Sequence, residues 1–309
     1  MPVGKRAGLS SILGRSVTTH TDIDESIDGG KTSIRNVARV VQTKKKLRSP
    51  ILIAGFPGAG LIGSISTSYM INKLNMSQIA CVDSEFIVPG VIYAQGKLRH
   101  PFRLYSNKEG EVCILVCEAP IIIHGMHSVL DTVMKWALDK NVREVIVMDG
   151  IPTDGLPDAK RTPIILSSDG TKADAASLID DVSAGIEDIT PQDDGYENAS
   201  YMTTAFIGGM AGGILSSCLS NGIASKALLI PAPRGIPDPE GAALLIEELS
   251  KITDSKLLKI DTQQLRKQGV SLKSRMEKIM QSYAEQQQGL AQHQEGEKPE
   301  KISDGVMYG

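Results

Sequence analysis

Three glycines that follow a predicted strand have the spacing of a phosphate-binding loop. Gly58, Gly60 and Gly63 lie in "GFPGAGLIGS", between an apolar run and a helical segment, and Asp83 ends the next predicted strand. In dinucleotide sites such glycines let the backbone approach a pyrophosphate at a helix N-terminus, and the acidic residue binds a ribose. Pro57, however, removes one N–H donor. We interpret the loop as a structural turn with a vestigial anion or nucleotide site; cofactor binding stays open as the alternative.

Two histidines and an aspartate recur at helical spacing further along the chain. His124, His127 and Asp131 would place two ring nitrogens and one carboxylate on one face of a helix. These are metal-ligand types, but a third strong ligand is missing from the pattern, and polar residues are common at a helix start. The sequence therefore predicts no metal site here.

Three carboxylates follow a buried strand in "MDGIPTDGLPDAK". Asp149, Asp154 and Asp158 have the side chains that acid–base catalysis needs, yet turn formation explains Asp-Gly equally well. A G-x-S-x-G elbow for a catalytic serine does not occur in the chain. We therefore predict no catalytic residue, no cofactor and no enzymatic activity.

The tip of the chain combines an apolar and an aromatic residue with a terminal carboxylate. Val306, Met307, Tyr308 and Gly309 follow the polar, Gln-rich run "AEQQQGLAQHQEGEKP". A carboxylate can pair with a lysine in a pocket, Tyr308 offers a rigid apolar body with one hydroxyl, and Met307 adapts to an irregular groove. Either this is an end without a role, or the tip enters a partner.

Alternating strands and helices must position these residues. Apolar runs closed by turn residues predict strands in "SIRNVARVV", "SPILIAGF", "QIACVDSE", "REVIVMDG", "TPIILSS" and "KALLIPAP". Helical periodicity or glycine-rich packing predicts helices in "LIGSISTSYMINKLN", "GMHSVLDTVMKWALDKN", "GGMAGGILSSCLSNG" and "DPEGAALLIEELSKIT", the last with Asp238 as N-cap and Pro239 in its first turn. Residues 87–115 alternate apolar runs with turns, which indicates a small antiparallel set of strands. The pattern predicts an α/β fold with a mainly parallel, mixed sheet.

The chain divides into four predicted parts. Residues 1–30 form a disordered N-terminal extension, 31–260 the α/β domain, 261–290 a C-terminal amphipathic helix, and 291–309 a flexible tail.

Composition excludes several classes of protein. The net charge of −3 and an aromatic content of 4% disfavour nucleic-acid binding. The chain contains no run of about 20 uninterrupted apolar residues, so no membrane span is predicted. The four cysteines make no C-x-x-C pair, and they are predicted to be buried thiols of a reducing, cytoplasmic compartment.

The ordered set of motifs resembles the proteasome assembly chaperone family, and its archaeal homologues most. The resemblance covers residues 48–268 and rests on "GFPGAGLIG", "VDSEFIVP", the tryptophan helix before "VREVIVMDGIP", "NGIASKALLIPAP" and "IPDPEGAALLIEELSK". It implies a three-layer, nucleoside-phosphorylase-like α/β sandwich without enzymatic activity. It also implies homo-oligomers that bind proteasome subunits or the 20S particle without ATP.

The resemblance also implies a role for the tip. Proteasome activators that dock on the α-ring carry a C-terminal hydrophobic–Tyr–X motif, which Met307, Tyr308 and Gly309 match. The leading hypothesis is an ATP-independent proteasome-binding protein, acting in assembly, activation or both. The alternative is a nucleotide- or nucleoside-binding enzyme that uses the loop from Gly58 to Gly63.

Overall fold

The computed structural model describes residues 38–276 except 95, 156, 159, 169–205 and 254. The strands are β1 (Ala38–Gln42), β2 (Ile51–Gly55), β3 (Ser77–Ser84), β4 (Ile92–Ala94), β5 (Lys97–Arg99), β6 (Phe102–Ser106), β7 (Val112–Cys117), β8 (Glu144–Thr153), β9 (Ile164–Ser167) and β10 (Ala224–Pro233). The helices are α1 (Ile62–Lys73), α2 (Met126–Asp139), α3 (Gly209–Asn221), α4 (Pro239–Ile252) and α5 (263–276). Short 3-10 turns cover Ala59–Leu61, Ile123–Gly125 and Lys256–Leu258.

Eight of the strands form one mixed sheet in the order β1-β3-β6-β7-β2-β8-β10-β9. The central strands β7, β2, β8 and β10 are parallel to one another. Antiparallel strands flank them, with β6, β3 and β1 on one side and β9 on the other. The remaining strands, β4 and β5, form a separate antiparallel hairpin.

The centre of the sheet is apolar because both of its faces are covered. Every residue of β2 and of β7 is buried, as expected for parallel strands with helices above and below. The helices α2 and α3 pack with one core, which includes Leu52, Val133 and Trp136. The helices α1 and α4 pack with the second, which includes Ile53 and Ile246. The predicted three-layer α/β fold is therefore confirmed.

Residue chemistry explains where helix α4 begins. The Asp238 carboxylate accepts a hydrogen bond from the Gly241 N–H at 2.9 Å, and Pro239 follows in the first turn, as predicted. The buried face of α4 includes Leu245, Ile246 and Leu249. The cap and the apolar stripe together fix the start of this helix and the face that it buries.

Helix α5 lies within the segment 261–290 that was predicted to be amphipathic. Leu265 is buried in the same core as α4. Arg266 donates two hydrogen bonds to the Glu247 carboxylate, at 3.0 and 2.5 Å. A Cβ on Gly269 would lie 3.0 Å from the Cβ of Glu240, so glycine lets α5 approach α4 closely. The beginning of α5 is thus anchored to the α/β body.

Several other predictions concern single features. All four cysteines are buried and none forms a disulfide, as predicted. Within the described ranges, no helix is both long enough and apolar enough to cross a membrane. The predicted N-terminal extension 1–30, the tail 291–309 and residues 277–290 of the C-terminal helix lie outside the described residues, and the division into four parts stays a prediction.

Candidate functional site

The glycine loop connects β2 to α1 through a 3-10 turn. Gly60 has a φ of 63°, a left-handed conformation that glycine adopts without strain. Leu61 is also left-handed, with a φ of 50°, and is partly exposed. Two consecutive left-handed residues thus form the tight turn that the sequence predicts before α1 begins at Ile62.

Main-chain contacts and one carboxylate account for two of the three predicted glycines. A Cβ on Gly63 would lie 2.6 Å from the Met148 carbonyl oxygen and 2.7 Å from the Phe56 nitrogen. On Gly58 it would lie 2.5 Å from Asp149 Oδ1. These distances are shorter than carbon atoms normally tolerate, so the glycines allow the loop to pack against the middle of β8.

Gly60 serves a related purpose at the neighbouring strand. A Cβ there would lie 3.0 Å from the Cβ atoms of Ala232 and Asp238. The Gly60 carbonyl oxygen accepts a hydrogen bond from the Asp238 N–H at 2.8 Å. The loop is thus held between β10 and the start of α4, and its glycines are used in contacts within the protein.

Asp149 gives the loop an unfavourable charge for binding an anion. Burial raises the pKa of this carboxyl, although a 2.8 Å hydrogen bond from the Gly150 N–H opposes the change. When it is ionised, the carboxylate next to Gly58 repels a phosphate. The geometry therefore favours the interpretation of the loop as a packing turn over a nucleotide site.

A buried ion pair, which the sequence did not reveal, lies beside the loop. Arg161 donates a hydrogen bond to Asp238, and their side chains are only 6% and 9% exposed. The Arg161 Nε is buried without a hydrogen-bond partner among the described residues. It borders a cavity of about 40 Å³ between the start of α4 and α5, far below the roughly 300–1,000 Å³ of small-molecule sites.

The predicted metal-ligand types do not assemble into a metal site. The His124 ring packs edge-on against Phe86 with centroids 5.3 Å apart, and Asp131 accepts a 3.4 Å hydrogen bond from Ser217. Across the part of the chain that the structure covers, no three His, Cys, Asp or Glu side chains come together to hold a metal ion.

The two remaining carboxylates of the acidic loop make local contacts. Asp158 accepts a hydrogen bond from the Lys160 N–H at 2.9 Å, which is turn chemistry. Asp154 is almost fully exposed and lies 3.5 Å from the Arg234 Nε. The structure therefore does not gather them with Asp149 into a catalytic group.

The predicted docking tip, Met307, Tyr308 and Gly309, lies outside the described residues. The structure does show how α5, the last described helix before the tip, is attached to α4. Hydrogen bonds from Arg266 lower the pKa of Glu247, which stabilises the contact between α4 and α5 at neutral pH. The chain therefore leaves the described part at residue 276 from a helix fixed on the α1–α4 face.

Comparison with known proteins assigns the chain to a family. The model of the PAC2 family matches residues 52–280. The chain belongs to the PAC2 family. A protein of unknown function from Thermoplasma acidophilum is 31% identical, with a TM-score of 0.57 over 80% of this chain and 92% of that one.

Two solved structures from Pyrococcus furiosus share the fold of this PAC2 protein. PbaA, an archaeal homolog of proteasome-assembly chaperone, is 20% identical with a TM-score of 0.61, over 83% of this chain and 98% of PbaA. PbaB, an archaeal proteasome activator, is 18% identical with a TM-score of 0.60, over 79% and 98%. The predicted resemblance to the proteasome assembly chaperone family is therefore confirmed.

Proposed function

We propose that this PAC2 protein is a non-enzymatic, ATP-independent protein of the cytoplasm that binds the 20S proteasome or its α-subunits, in assembly, activation or both. The observation that carries the proposal is the C-terminal sequence Met307-Tyr308-Gly309 on a PAC2 body. The fold that the chain shares with a chaperone homolog and an activator supports the same partner.

The tip docks into pockets of the α-ring. The Gly309 carboxylate pairs with a lysine of the pocket, and glycine leaves no side chain beside it. The Tyr308 ring fills the pocket and its hydroxyl finds a polar partner, while Met307 packs against the pocket wall. One such contact is small, so a single tip binds weakly.

Several tails must therefore act together. If residues 291–309 form the flexible tether that the sequence predicts, its root-mean-square reach is about 25 Å, from roughly 5–6 Å times the square root of its length. Homo-oligomers of this chain present several tethers to one ring, and avidity multiplies the affinity of each tip. The anchored start of α5 gives the last described helix before the tether a fixed place on the body.

Removal of the tip tests the docking proposal. We expect Tyr308→Ala, and deletion of Tyr308 and Gly309, to abolish binding to archaeal 20S particles in a pull-down or by surface plasmon resonance. Lys301→Ala in the tether is the matched control and should bind as the wild type does. Binding that persists without Tyr308 would contradict the docking mechanism.

Peptide hydrolysis separates activation from assembly. If the protein opens the ring, its addition raises hydrolysis of a fluorogenic peptide by the 20S particle, and Tyr308→Ala removes the increase. Unchanged hydrolysis together with capture of free α-subunits would restrict the role to assembly. Both measurements are made without ATP, so a requirement for ATP would contradict that part of the proposal.

A further inference from the structure

A cleft separates the β4–β5 hairpin from the edge of the large sheet. It has a volume of about 440 Å³, which falls within the roughly 300–1,000 Å³ of small-molecule sites. We call it the hairpin cleft. Strands β1 and β3 supply one of its walls, and residues 97–100, in and just after β5, supply the other. In contrast to the small cavity beside Arg161, this cleft is large enough for a small organic molecule.

The wall formed by the sheet is apolar. Helix α1 packs over β2, β7 and β8, while the hairpin stands over β1 and β3. Val40 and Val82 belong to the core on the α2 side, so the next residues in alternation, Val41 and Cys81, face the opposite side of the sheet. Val41 and Cys81 are partners across β1 and β3, and both line the cleft. The cleft therefore has a floor of apolar side chains.

The wall formed by the hairpin is cationic. Tyr93 and Leu98 pair across β4 and β5 on the exposed outer face of the hairpin. Lys97 and Arg99 flank Leu98 in β5, so they lie on the inner face. Arg99 reaches across the cleft and donates a hydrogen bond from Nη1 to the Gln78 Oε1 on β3 at 3.0 Å. Positively charged side chains thus stand opposite the apolar floor.

The charge of the lining has one sign. Among the described residues that line the cleft, none is acidic and three are cationic, although the whole chain has a net charge of −3. An anion in the cleft is therefore attracted without a nearby carboxylate to oppose it, unlike an anion at the glycine loop beside Asp149. Val41, Ile79 and Val91 add aliphatic surface, which binds a hydrocarbon chain by removing it from water.

The uncharged polar side chains of the lining already have partners within the protein. The Gln42 Oε1 accepts a hydrogen bond from the Trp136 Nε1 at 3.0 Å, and the Thr43 hydroxyl donates one to a carbonyl oxygen of β3 at 3.0 Å. The Gln78 amide oxygen is bonded to Arg99. The amide groups of a peptide would be short of hydrogen-bond partners in this cleft, which is costly, whereas a hydrocarbon chain needs none.

We infer that the hairpin cleft binds the monomeric anion of a medium-chain aliphatic carboxylic acid. The carboxylate pairs with the cationic wall at Lys97, Arg99 and His100, and the chain lies along the floor at Val41 and Cys81. The cleft takes no part in the proposed docking of the C-terminal tip. Ligand binding here is therefore a further property of the protein, and it does not depend on the proteasome.

Calorimetric titration of the full chain with decanoate, kept below its micelle concentration at neutral pH, tests the inference. We expect a single saturable site. Each methylene group removed from the ligand should weaken binding about fourfold, so octanoate should bind roughly 16-fold more weakly than decanoate. Decylammonium, which has the same chain and the opposite charge, should bind at least about tenfold more weakly.

Variants of the two walls locate the site. Lys97→Glu should weaken decanoate binding at least about tenfold, because the new carboxylate repels the ligand. Val41→Thr keeps the shape of the side chain but replaces a methyl group by a hydroxyl, and it should weaken binding about fourfold. Lys259→Glu is the matched control, since it makes the same charge change at an exposed position outside the cleft, and it should bind as the wild type does. Circular dichroism checks that each variant is folded.

Several outcomes would overturn the inference. These are the absence of saturable binding up to about 1 mM decanoate, equal binding of decylammonium, and a folded Lys97→Glu variant with the affinity of the wild type. An equal loss in Lys259→Glu would show that only net charge matters. Tighter binding of the peptide acetyl-leucyl-leucine would assign the cleft to a protein C-terminus instead. Tyr308→Ala should bind decanoate as the wild type does, so failure of the proposed function and failure of this inference are distinguishable.

Discussion

Substitution of Gly63 by alanine tests whether the glycine loop is a packing turn. The added Cβ would lie 2.6, 2.7 and 2.8 Å from three main-chain atoms, the Met148 oxygen and the Phe56 nitrogen and oxygen. Main-chain atoms of two buried segments cannot move aside as a flexible side chain can. Overpacking of this kind costs about 1–3 kcal/mol, and the absence of a soft neighbour places the cost near the upper value.

The gain in helix propensity offsets only part of this cost. Alanine is better than glycine in a helix by at most about 1 kcal/mol, so Gly63→Ala should lower the free energy of unfolding by about 2 kcal/mol. At roughly 2–4 °C per kcal/mol, the melting temperature falls by about 4–8 °C. Urea denaturation and calorimetry, both at one fixed protein concentration, measure these changes.

Two other glycines calibrate the experiment. Nothing lies within 4 Å of a Cβ built on Gly90, so Gly90→Ala should change stability by less than about 0.5 kcal/mol. A Cβ on Gly58 meets the end of the Asp149 side chain, which can turn away, so Gly58→Ala should cost less than Gly63→Ala. A Gly63→Ala protein as stable as the wild type would refute the assignment of this glycine to packing.

The same variants distinguish the packing turn from a nucleotide site. A ligand at 100 times its dissociation constant stabilises a protein by about 2.7 kcal/mol. We expect NAD, NADP, purine nucleosides and phosphate to leave the melting temperature of the wild type unchanged. A clear stabilisation by one of them that Gly58→Ala abolishes would instead support the enzyme alternative.

Two further predictions concern buried charges. Burial raises the pKa of Asp149 above its ordinary 3.8, so the wild type loses stability as the pH rises from that value through the pKa of the folded state. Asp149→Asn should therefore be more stable than the wild type at pH 7.5, with a smaller difference at pH 4. Equal differences in the free energy of unfolding at the two pH values, measured by urea denaturation, would contradict this prediction. Arg161→Met and Asp238→Asn should each lower the free energy of unfolding by about 3 kcal/mol, since each leaves a buried charge without its partner, and the double variant should lose less than the sum. Additive losses in this double-mutant cycle would show that the pair is not coupled.

The buried strands and the helix caps were predictable from sequence because their signals are local. An apolar run such as Ile51–Gly55 has few alternatives to a strand covered on both faces, and the α/β class follows from its alternation with helices. The Asp238 cap was equally predictable, since its acceptor and donor lie three residues apart. Local chemistry thus fixed the elements and their order.

The purpose of the glycine loop could not be predicted from its own residues. Glycine permits close approach, but the sequence does not say whether a pyrophosphate or the protein's own main chain approaches. Met148 and Asp149, which decide the matter, lie on another strand more than 80 positions away. Arg161 was missed for the same reason, because its partner Asp238 is 77 positions away and no periodic pattern marks it.

The exposure of the β4–β5 hairpin could not be predicted for a different reason. The apolar runs and turns of residues 87–115 predicted antiparallel strands, but exposed and buried strands have the same composition in a short window. In the structure Tyr93 and Leu98 share the outer face of a hairpin that belongs to neither core. Only the three-dimensional arrangement distinguishes an apolar residue that packs within its own domain from one that stays exposed.

The body and the tip have complementary tasks in the proposed mechanism. The glycine loop packs against β8, and Leu265 with the Arg266–Glu247 pair fixes the start of α5, the last described helix before the predicted tail. In the proposed mechanism, the number of associated copies determines how many tails act together. Because a single tip binds weakly, a monomeric variant with an intact Tyr308 should bind 20S particles far less tightly than an oligomeric wild type, by up to about 10²–10⁴-fold. Function then depends on the surface that joins the copies as much as on the residues that enter the ring.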